Sequence, residues 1–348
     1  MKVAVTGANG HIGAQVTRAL VEAGHEVAVL LREGSDRRGL AGLEVQEHLG
    51  DILDPGSLEA AFAGAEVVFH LAAAHLNHTK DPADIERPAV EGTRNVVAAA
   101  RAAGVRRLVH TSTGATVGFA KDPERPLDER HRMESAKSSY IRGKIVSERE
   151  ALAASGDELE VVVLNPSGVF GPFDHRLTPA TRSIIDLLQG GLTFFSVCFT
   201  DVRDVARAHL LAAERGRAGE RYLITGEQLA PPAIAALYEE LGGTRPPTLR
   251  PPAFLAKFVL RRLEKKAERE GIDAPASADS VDDLDGGHLA YDARKSREEL
   301  GMTYRPAREV LTDTFRWLLF VDALKPKVAA KVRAALGEAA SPDPGWRH

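Results

Sequence analysis

The chain opens on Val3-Ala4-Val5-Thr6-Gly7-Ala8-Asn9-Gly10-His11-Ile12-Gly13, and the rest of its pattern follows from this segment. It begins as a β-branched strand, and from position 12 onward apolar residues recur at helical spacing. Gly7 allows a tight turn off the strand, Gly10 lacks the Cβ that would block a pyrophosphate, and Gly13 lets the helix pack close to the sheet. The segment predicts a dinucleotide-binding turn whose helix start, at His11 and Ile12, faces the phosphates. The alternative is a tight turn that binds nothing.

Strand-like and helix-like segments alternate through the first half of the chain. Strand patterns occupy 27–31, 67–71, 107–110 and 161–164, with a short one beginning at 45, and helical patterns occupy 58–62, 85–103 and 140–154. Such alternation is typical of an α/β fold. We therefore expect a doubly wound parallel sheet (Rossmann) with a smaller, mostly helical C-terminal substrate lobe.

The alternation of strand-like and helix-like segments ends after Leu164, where prolines and paired glycines interrupt it. We expect residues 1–165 to form the dinucleotide-binding domain, with returning segments near 200–225. Segments 166–199 and 226–322 would form the substrate lobe, and 323–348 a C-terminal helix and tail whose last residues, 341–348, fray.

Composition narrows the class of protein. The chain has 348 residues, 44% of them hydrophobic, and a formal net charge of −4, which gives no reason to expect nucleic acid as a partner. A single cysteine, Cys198, excludes an internal disulfide. Because the first strand pattern begins at Lys2, we expect no signal peptide. No apolar run approaches the roughly 20 residues of a membrane helix. We expect a cytoplasmic protein without stable membrane insertion.

Two basic amphipathic segments, 254–270 and 325–336, are interpreted as solvated helices. The first could lie on an anionic membrane. We favour a solvated helix because Glu264, Glu268 and Glu270 interrupt its basic face.

The loop after the second strand bears on cofactor choice. Proteins that bind NAD usually place an acidic residue there, whereas this chain has Arg32, followed by Ser35, Arg37 and Arg38. A guanidinium can pair with a 2′-phosphate, so the loop favours NADP, with NAD as the alternative. Asp51, next to Ile52, lies where a carboxylate either accepts from the adenine amino group or caps a turn.

A phenol and an ammonium define the candidate chemistry. Tyr140 and Lys144 are four residues apart on a predicted helix and so share a face. A nearby cation favours the phenolate and suits the tyrosine to proton transfer. The hydroxyls of Thr111-Ser112-Thr113 end the fifth strand, at the edge of the sheet where ligands bind.

Together these motifs resemble the extended short-chain dehydrogenase/reductases, over essentially residues 1–320. The likeness is to the dihydroflavonol-4-reductase-like branch and to the NAD-dependent epimerase/dehydratase family. It is carried by the opening glycine segment and by further matching segments: Gly50-Asp51, His70-Leu71-Ala72-Ala73, Gly92-Thr93-Arg94-Asn95, Thr111-Ser112-Thr113, Tyr140 to Lys144, Asn165-Pro166-Ser167-Gly168-Val169-Phe170-Gly171-Pro172 and Asp201 to Ala206.

The resemblance implies roles for individual residues. Tyr140 would be the general acid–base, Lys144 its electrostatic partner, and Thr113 the hydroxyl residue, with Ser112 as the neighbour to check. Further positions would contact the cofactor: Leu71, Ala72, Ala73, Thr111, Pro166, Ser167, Gly168 and Val169. Ala89 departs from the asparagine of many members, and threonine replaces the commoner serine at 113.

Other histidines and aromatic residues are weaker candidates. His75, Phe170, Phe173 and His175 are expected to line the substrate pocket, and no metal site is expected. The pattern favours an NADP(H)-dependent oxidoreductase that transfers a hydride to or from the carbonyl or alcohol carbon of a small, largely apolar substrate. An NAD-dependent nucleotide-sugar epimerase and a non-catalytic dinucleotide sensor are the alternatives. The family resemblance also suggests a homodimer through the helices at 85–103 and 140–154.

Overall fold

The computed structural model describes residues 1–73, 81–270 and 277–341, together with Asp343 and Trp346. The strands of these ranges are β1 (Lys2–Thr6), β2 (Glu26–Leu31), β3 (Gln46–Leu49), β4 (Val67–His70), β5 (Arg107–Thr111), β6 (Glu160–Pro166), β7 (Val169–Phe170), β8 (Val197–Asp201), β9 (Arg221–Ile224) and β10 (Glu227–Leu229). The helices are α1 (His11–Glu22), α2 (Pro55–Phe62), α3 (Ala83–Ala102), α4 (Ser139–Ala153), α5 (Pro179–Leu188), α6 (Val202–Arg215), α7 (Pro231–Gly242), α8 (Ala253–Glu270), α9 (Asp279–Leu284), α10 (Arg294–Glu299), α11 (Ala307–Phe320) and α12 (Pro326–Leu336).

A parallel sheet with the order β3-β2-β1-β4-β5-β6-β9 runs through the centre of the molecule. Apart from the exposed edge strand β3, its strands are almost wholly buried, because α1 and α6 cover one face and α2, α3 and α4 cover the other. β1 pairs with both β2 and β4, so the strand order reverses beside β1, and ligands of such sheets bind at that point. The predicted doubly wound fold is confirmed.

The C-terminal lobe has its own core, in which α5, α7, α11 and α12 surround a second sheet of order β10-β8-β7. The sequence pattern indicated a mostly helical lobe but predicted neither this small sheet nor α5. β9 returns to the main sheet beside β6, so the chain crosses between the two parts more than once. The division into domains drawn above therefore stays a prediction.

The C-terminal tail corrects one expectation. Trp346 is 5% exposed rather than frayed, and its ring centroid lies 5.7 Å from that of Trp317 and 6.3 Å from that of Phe173. This large aromatic side chain is buried although its position at the end of the chain predicted fraying.

Candidate active site

The glycine turn between β1 and α1 leaves no room for side chains at two of its positions. A Cβ on Gly13 would lie 2.0 Å from the carbonyl oxygen of Gly7, and one on Gly7 would lie 2.6 Å from the backbone nitrogen of Ala72. Gly10 is the N-cap of α1, and no side chain of the described residues caps that helix. The N–H groups of the first turn of α1 therefore remain for an anion, as a dinucleotide pyrophosphate requires.

The side chain of His11 serves a structural purpose. Its Nε2 lies 3.0 Å from the carbonyl oxygen of Pro172, and its Nδ1 lies 4.0 Å from the buried carboxylate of Asp174. The ring therefore fixes the loop after β7 against the start of α1. Because the side chain is engaged there, any contact of His11 with the cofactor would involve its backbone, and that contact stays a prediction.

Of the arginines in the loop after β2, Arg32 is the one free for a ligand among the described residues. It is exposed and pairs with none of them, whereas Arg37 donates to Glu47 at 2.9 Å and Arg38 pairs with Asp36. Ser35 Oγ is buried without a hydrogen-bond partner among the residues described. An unpaired guanidinium beside an unsatisfied hydroxyl fits a 2′-phosphate, while Glu47 competes for Arg37.

The turn after β3 satisfies some of its hydrogen-bonding groups internally. Asp51 Oδ1 accepts the N–H of Leu53 at 2.9 Å, which is the turn-capping geometry considered above. The side chain of Ile52 packs against Gly92 of α3, and its carbonyl accepts from Asn95 at 2.9 Å. The contact of Asp51 with adenine and that of Ile52 with the cofactor stay predictions.

The predicted catalytic side chains lie together at the carboxyl edge of the sheet. Lys144 is 6% exposed and donates to the carbonyl oxygen of Thr111 at 2.8 Å. Burial lowers the pKa of Lys144 to about 8, with Glu148 opposing the shift. Burial raises the pKa of Tyr140, and its hydrogen bond with Thr113 opposes that change. Phenol, hydroxyl and ammonium thus form one cluster, and their catalytic roles stay predictions.

The neighbouring hydroxyls of Ser112 and Thr113 differ in their surroundings. Ser112 is buried and donates to Glu148 Oε2 at 2.5 Å, so its hydroxyl is already engaged. Thr113 is partly exposed and bonds Tyr140. The contact of Thr113 with a substrate stays a prediction.

A buried ion pair behind this cluster was missed by the sequence analysis. Glu148 and Arg221 are 3% and 4% exposed and lie 2.5 Å apart. The same carboxylate also accepts from Ser112, Thr116 and Asn165. The available signal was spacing, because Glu148 follows Lys144 by one helical turn on the same face of α4.

The segment after β6 is held by close backbone packing. Gly168 has φ +58°, and a Cβ there would lie 1.7 Å from the carbonyl oxygen of Cys198. The N–H of Ser167 donates to Ile224, and its carbonyl accepts from Thr200. Pro166 ends β6 and Val169 begins β7, so this segment joins the two sheets.

The expected pocket residues occupy different places. Phe170 is buried against Phe199, with ring centroids 5.2 Å apart. Phe173 and His175 pack on Trp317, with ring centroids 5.2 and 4.9 Å away. The structure thus places them in an aromatic cluster with α11. His75 lies outside the described residues, and their roles as pocket lining stay predictions.

Two histidines lie beneath the catalytic cluster on adjacent strands. The ring centroids of His70 and His110 are 5.2 Å apart, and the ring of His70 is hydrogen-bonded to the hydroxyls of Thr6 and Thr93. Both ring nitrogens of His110 are buried without a partner among the described residues. Burial lowers the pKa of His70 to about 3 and that of His110 well below its usual range. Both rings are therefore neutral in the folded protein.

This burial makes stability depend on pH. Unfolded histidine titrates near 6.5, so below that pH the unfolded chain binds protons that the folded chain rejects. The stability that comes from the neutral histidines is then fully present above pH 6.5. On acidification the free energy of unfolding falls by about 1.4 kcal/mol per pH unit for each such histidine. We expect His110→Leu to make the free energy of unfolding less dependent on pH, by the contribution of one proton. Urea unfolding at several pH values measures this dependence. The exposed His131 is the control, and equal slopes for His131→Leu and His110→Leu would contradict the account.

Comparison with known proteins agrees with this geometry. Residues 3–225 match the model of the NAD dependent epimerase/dehydratase family. The chain belongs to that family. "Sterol demethylase protein B" of Methylococcus capsulatus is 34% identical over 326 residues, which cover 91% of this chain and 98% of that protein. A "Putative dihydroflavonol 4-reductase" of Synechocystis is 32% identical, covering 90% and 93%. The crystal structure of gox2253 superposes with a TM-score of 0.80 at 31% identity, covering 93% and 99%.

The protein is accordingly an NAD(P)-dependent reductase or dehydrogenase of the extended short-chain type. None of the described helices is long and apolar enough to cross a membrane. Among the residues described, no cluster of three or more histidine, cysteine or acidic side chains could hold a metal ion.

Proposed function

We propose that the protein is an NADPH-dependent carbonyl reductase, able to run in reverse as an alcohol dehydrogenase, acting on a small and largely apolar substrate. One observation carries the proposal. Tyr140 is hydrogen-bonded to Thr113 and stands one helical turn before the buried cation of Lys144, at the ligand-binding edge of the sheet.

Two groups of residues would hold the phosphates of the cofactor. The first turn of α1 would hold the pyrophosphate, and Arg32 with Ser35 would hold the 2′-phosphate. The bound nicotinamide would supply a hydride to the carbonyl carbon or accept one from the alcohol carbon. The residues of the chain provide the proton and the charge stabilisation.

Tyr140 donates the proton to the carbonyl oxygen of the substrate, and in the reverse direction it removes the proton from the alcohol. Thr113 donates a hydrogen bond to the same oxygen and steadies its developing charge. Lys144 is still mostly protonated at pH 7, because its pKa lies at about 8, so its cation favours the phenolate that forms.

The apolar substrate class is supported by the relatives of the chain. The names of two of them refer to a sterol and to a dihydroflavonol. An assay of apolar ketones and aldehydes, in which the loss of NADPH absorbance is measured, tests this substrate class directly.

A nucleotide-sugar epimerase is the second candidate, because the family model that matches the chain includes epimerases. An epimerase usually holds NAD tightly, and Arg32 stands where NAD binders have an acidic residue. A non-catalytic sensor is disfavoured, because the chain retains Tyr140 and Lys144 in hydrogen-bonded positions.

The cofactor proposal predicts the effect of Arg32→Asp. Losing a charged hydrogen bond to the 2′-phosphate and adding a like charge should weaken NADPH binding by about tenfold or more, with little effect on NADH. Fluorescence titration of both cofactors measures the change. The control is Arg333→Asp on α12, which alters the net charge equally. Wild-type preference for NADH, or protein purified with NAD bound, would overturn the choice of NADP.

A further inference from the structure

The helix α8 presents two faces of opposite character. Its inner face carries Glu264 and Ala267, which are buried, and Glu264 accepts the N–H of Ala278 at 2.7 Å. This placement corrects the sequence interpretation in one respect, because Glu264 does not interrupt the outer basic face. The helix is fixed along one side and open to solvent along the other.

The N-terminal half of the outer face is apolar. Phe254 is 76% exposed and Phe258 53%, and Leu255 and Val259 beside them are also exposed. At roughly 100° per residue these four side chains project from one side of the helix. Single exposed apolar residues are ordinary, but a contiguous patch of large ones marks a surface that another body covers.

The C-terminal half of the outer face is basic. Its exposed cations are Arg261, Arg262, Lys265, Lys266 and Arg269. The guanidinium of Arg262 lies 4.5 Å from the ring centroid of Phe258, so the apolar and basic halves join in one surface. Glu268 and Glu270 lie toward the flanks of this sector at roughly 100° per residue, and Glu270 is 3.8 Å from Lys266.

We propose that the outer face of α8 docks the protein on the surface of an anionic lipid bilayer. The aromatic half would enter the headgroup region while the cations meet lipid phosphates. The patch is local, because the whole chain carries a net charge of −4. A second copy of this chain fits less well, since a two-fold contact would bring two sets of five cations together.

The docked helix also contacts the elements that hold the catalytic residues. Lys257 of α8 lies 2.7 Å from Asp282 of α9. The neighbouring Asp283 accepts the N–H groups of Lys137 and Ser138 at 2.6 and 2.8 Å, immediately before α4. Docking would therefore set the start of the helix that carries Tyr140 near the bilayer. Delivery of an apolar substrate from the membrane by this route rests on the proposed function, whereas docking itself does not.

Sedimentation with vesicles tests the docking without cofactor or substrate. Vesicles of phosphatidylglycerol with phosphatidylcholine are compared with phosphatidylcholine alone. The variants are Phe254→Ser/Phe258→Ser and Arg262→Glu/Lys265→Glu/Arg269→Glu. The control is Lys327→Glu/Lys331→Glu/Arg333→Glu on α12, which makes the same charge change on a helix that has exposed cations and, over its fully described length, no exposed large apolar side chain.

We expect the wild type to sediment with the anionic vesicles and to stay in solution with phosphatidylcholine alone. Both α8 variants should bind at least about tenfold more weakly, and the charge reversal about a hundredfold, while the α12 control binds like the wild type. Unchanged NADPH affinity and circular dichroism show that the variants fold.

Three results would overturn the proposal: a wild type that stays in solution, an α12 control as impaired as the α8 variants, or binding that ignores lipid charge. Light scattering that shows a dimer lost in Phe254→Ser/Phe258→Ser, without vesicle binding, would assign the face to a second copy. Failure of carbonyl reduction alone would bear on the proposed function and leave the docking result standing.

Discussion

Replacing Tyr140 with phenylalanine is expected to lower kcat for carbonyl reduction by about 10²–10⁴-fold, the usual contribution of a positioned general acid. The substitution removes the hydroxyl and keeps the ring. The hydrogen bond to Thr113 is then lost, and Lys144 has no phenol whose proton transfer its charge can assist. NADPH affinity should stay close to that of the wild type, because the pyrophosphate and 2′-phosphate contacts lie elsewhere. Steady-state kinetics and cofactor titration separate the two effects.

Tyr238→Phe is the matched control. Tyr238 is fully buried in the lobe core, and its hydroxyl has no hydrogen-bond partner among the described residues. Removing that hydroxyl should leave kcat unchanged and leave stability unchanged or slightly higher. A Tyr140→Phe enzyme with full turnover, or a Tyr238→Phe enzyme as slow as Tyr140→Phe, would contradict the assigned chemistry.

The largest loss of stability is expected from Glu148→Ala. The substitution leaves the guanidinium of Arg221 buried without its carboxylate, and it releases Ser112, Thr116 and Asn165. Breaking one side of a buried pair costs about 3–5 kcal/mol, a large part of the roughly 5–15 kcal/mol that holds a protein folded. Urea unfolding followed by circular dichroism measures the change.

The control lies two residues further along the same helix. Glu150 pairs with Arg94 at 2.6 Å on the protein surface, so Glu150→Ala should cost less than about 1 kcal/mol. Replacing both buried partners, as Glu148→Leu/Arg221→Met, should recover part of the loss because no lone charge remains. Equal losses for Glu148→Ala and Glu150→Ala would show that the buried network does not stabilise the fold.

Local patterns predicted the main sheet and the grouping of Thr113, Tyr140 and Lys144, because the information is local. A β-branched run, a glycine turn and a helical period lie next to each other from Val3 onward, and Tyr140 and Lys144 lie one helical turn apart. The same holds for the hydroxyls of Thr111 to Thr113, which end a strand. Such features do not depend on distant parts of the chain.

Several features that join distant segments were not predicted, although segments near 200–225 were expected to return to the dinucleotide-binding domain. Glu148 and Arg221 are 73 residues apart and come together because β9 returns beside β6. Trp346 is buried through an aromatic cluster with Phe173 and Trp317, which no periodicity indicates. The small sheet was missed because β7 is two residues long and pairs only once the chain has folded.

The inner and outer faces of α8 illustrate the same limit. Sequence shows the charges of a helix but not which side the rest of the molecule covers. The covering segment around Ala278 turns Glu264 inward and leaves the cations outside. A surface that looked mixed in the sequence is therefore basic and apolar in the structure.

The most direct test of carbonyl reduction is a single turnover with NADPH deuterated at the transferring position of the nicotinamide. We expect an apolar ketone to be released as an alcohol with deuterium on the carbinol carbon, with one NADP⁺ formed for each alcohol. An enzyme that inverts a nucleotide sugar, and that leaves the cofactor in its starting oxidation state while reducing no ketone, would contradict this expectation and assign the site to epimerisation.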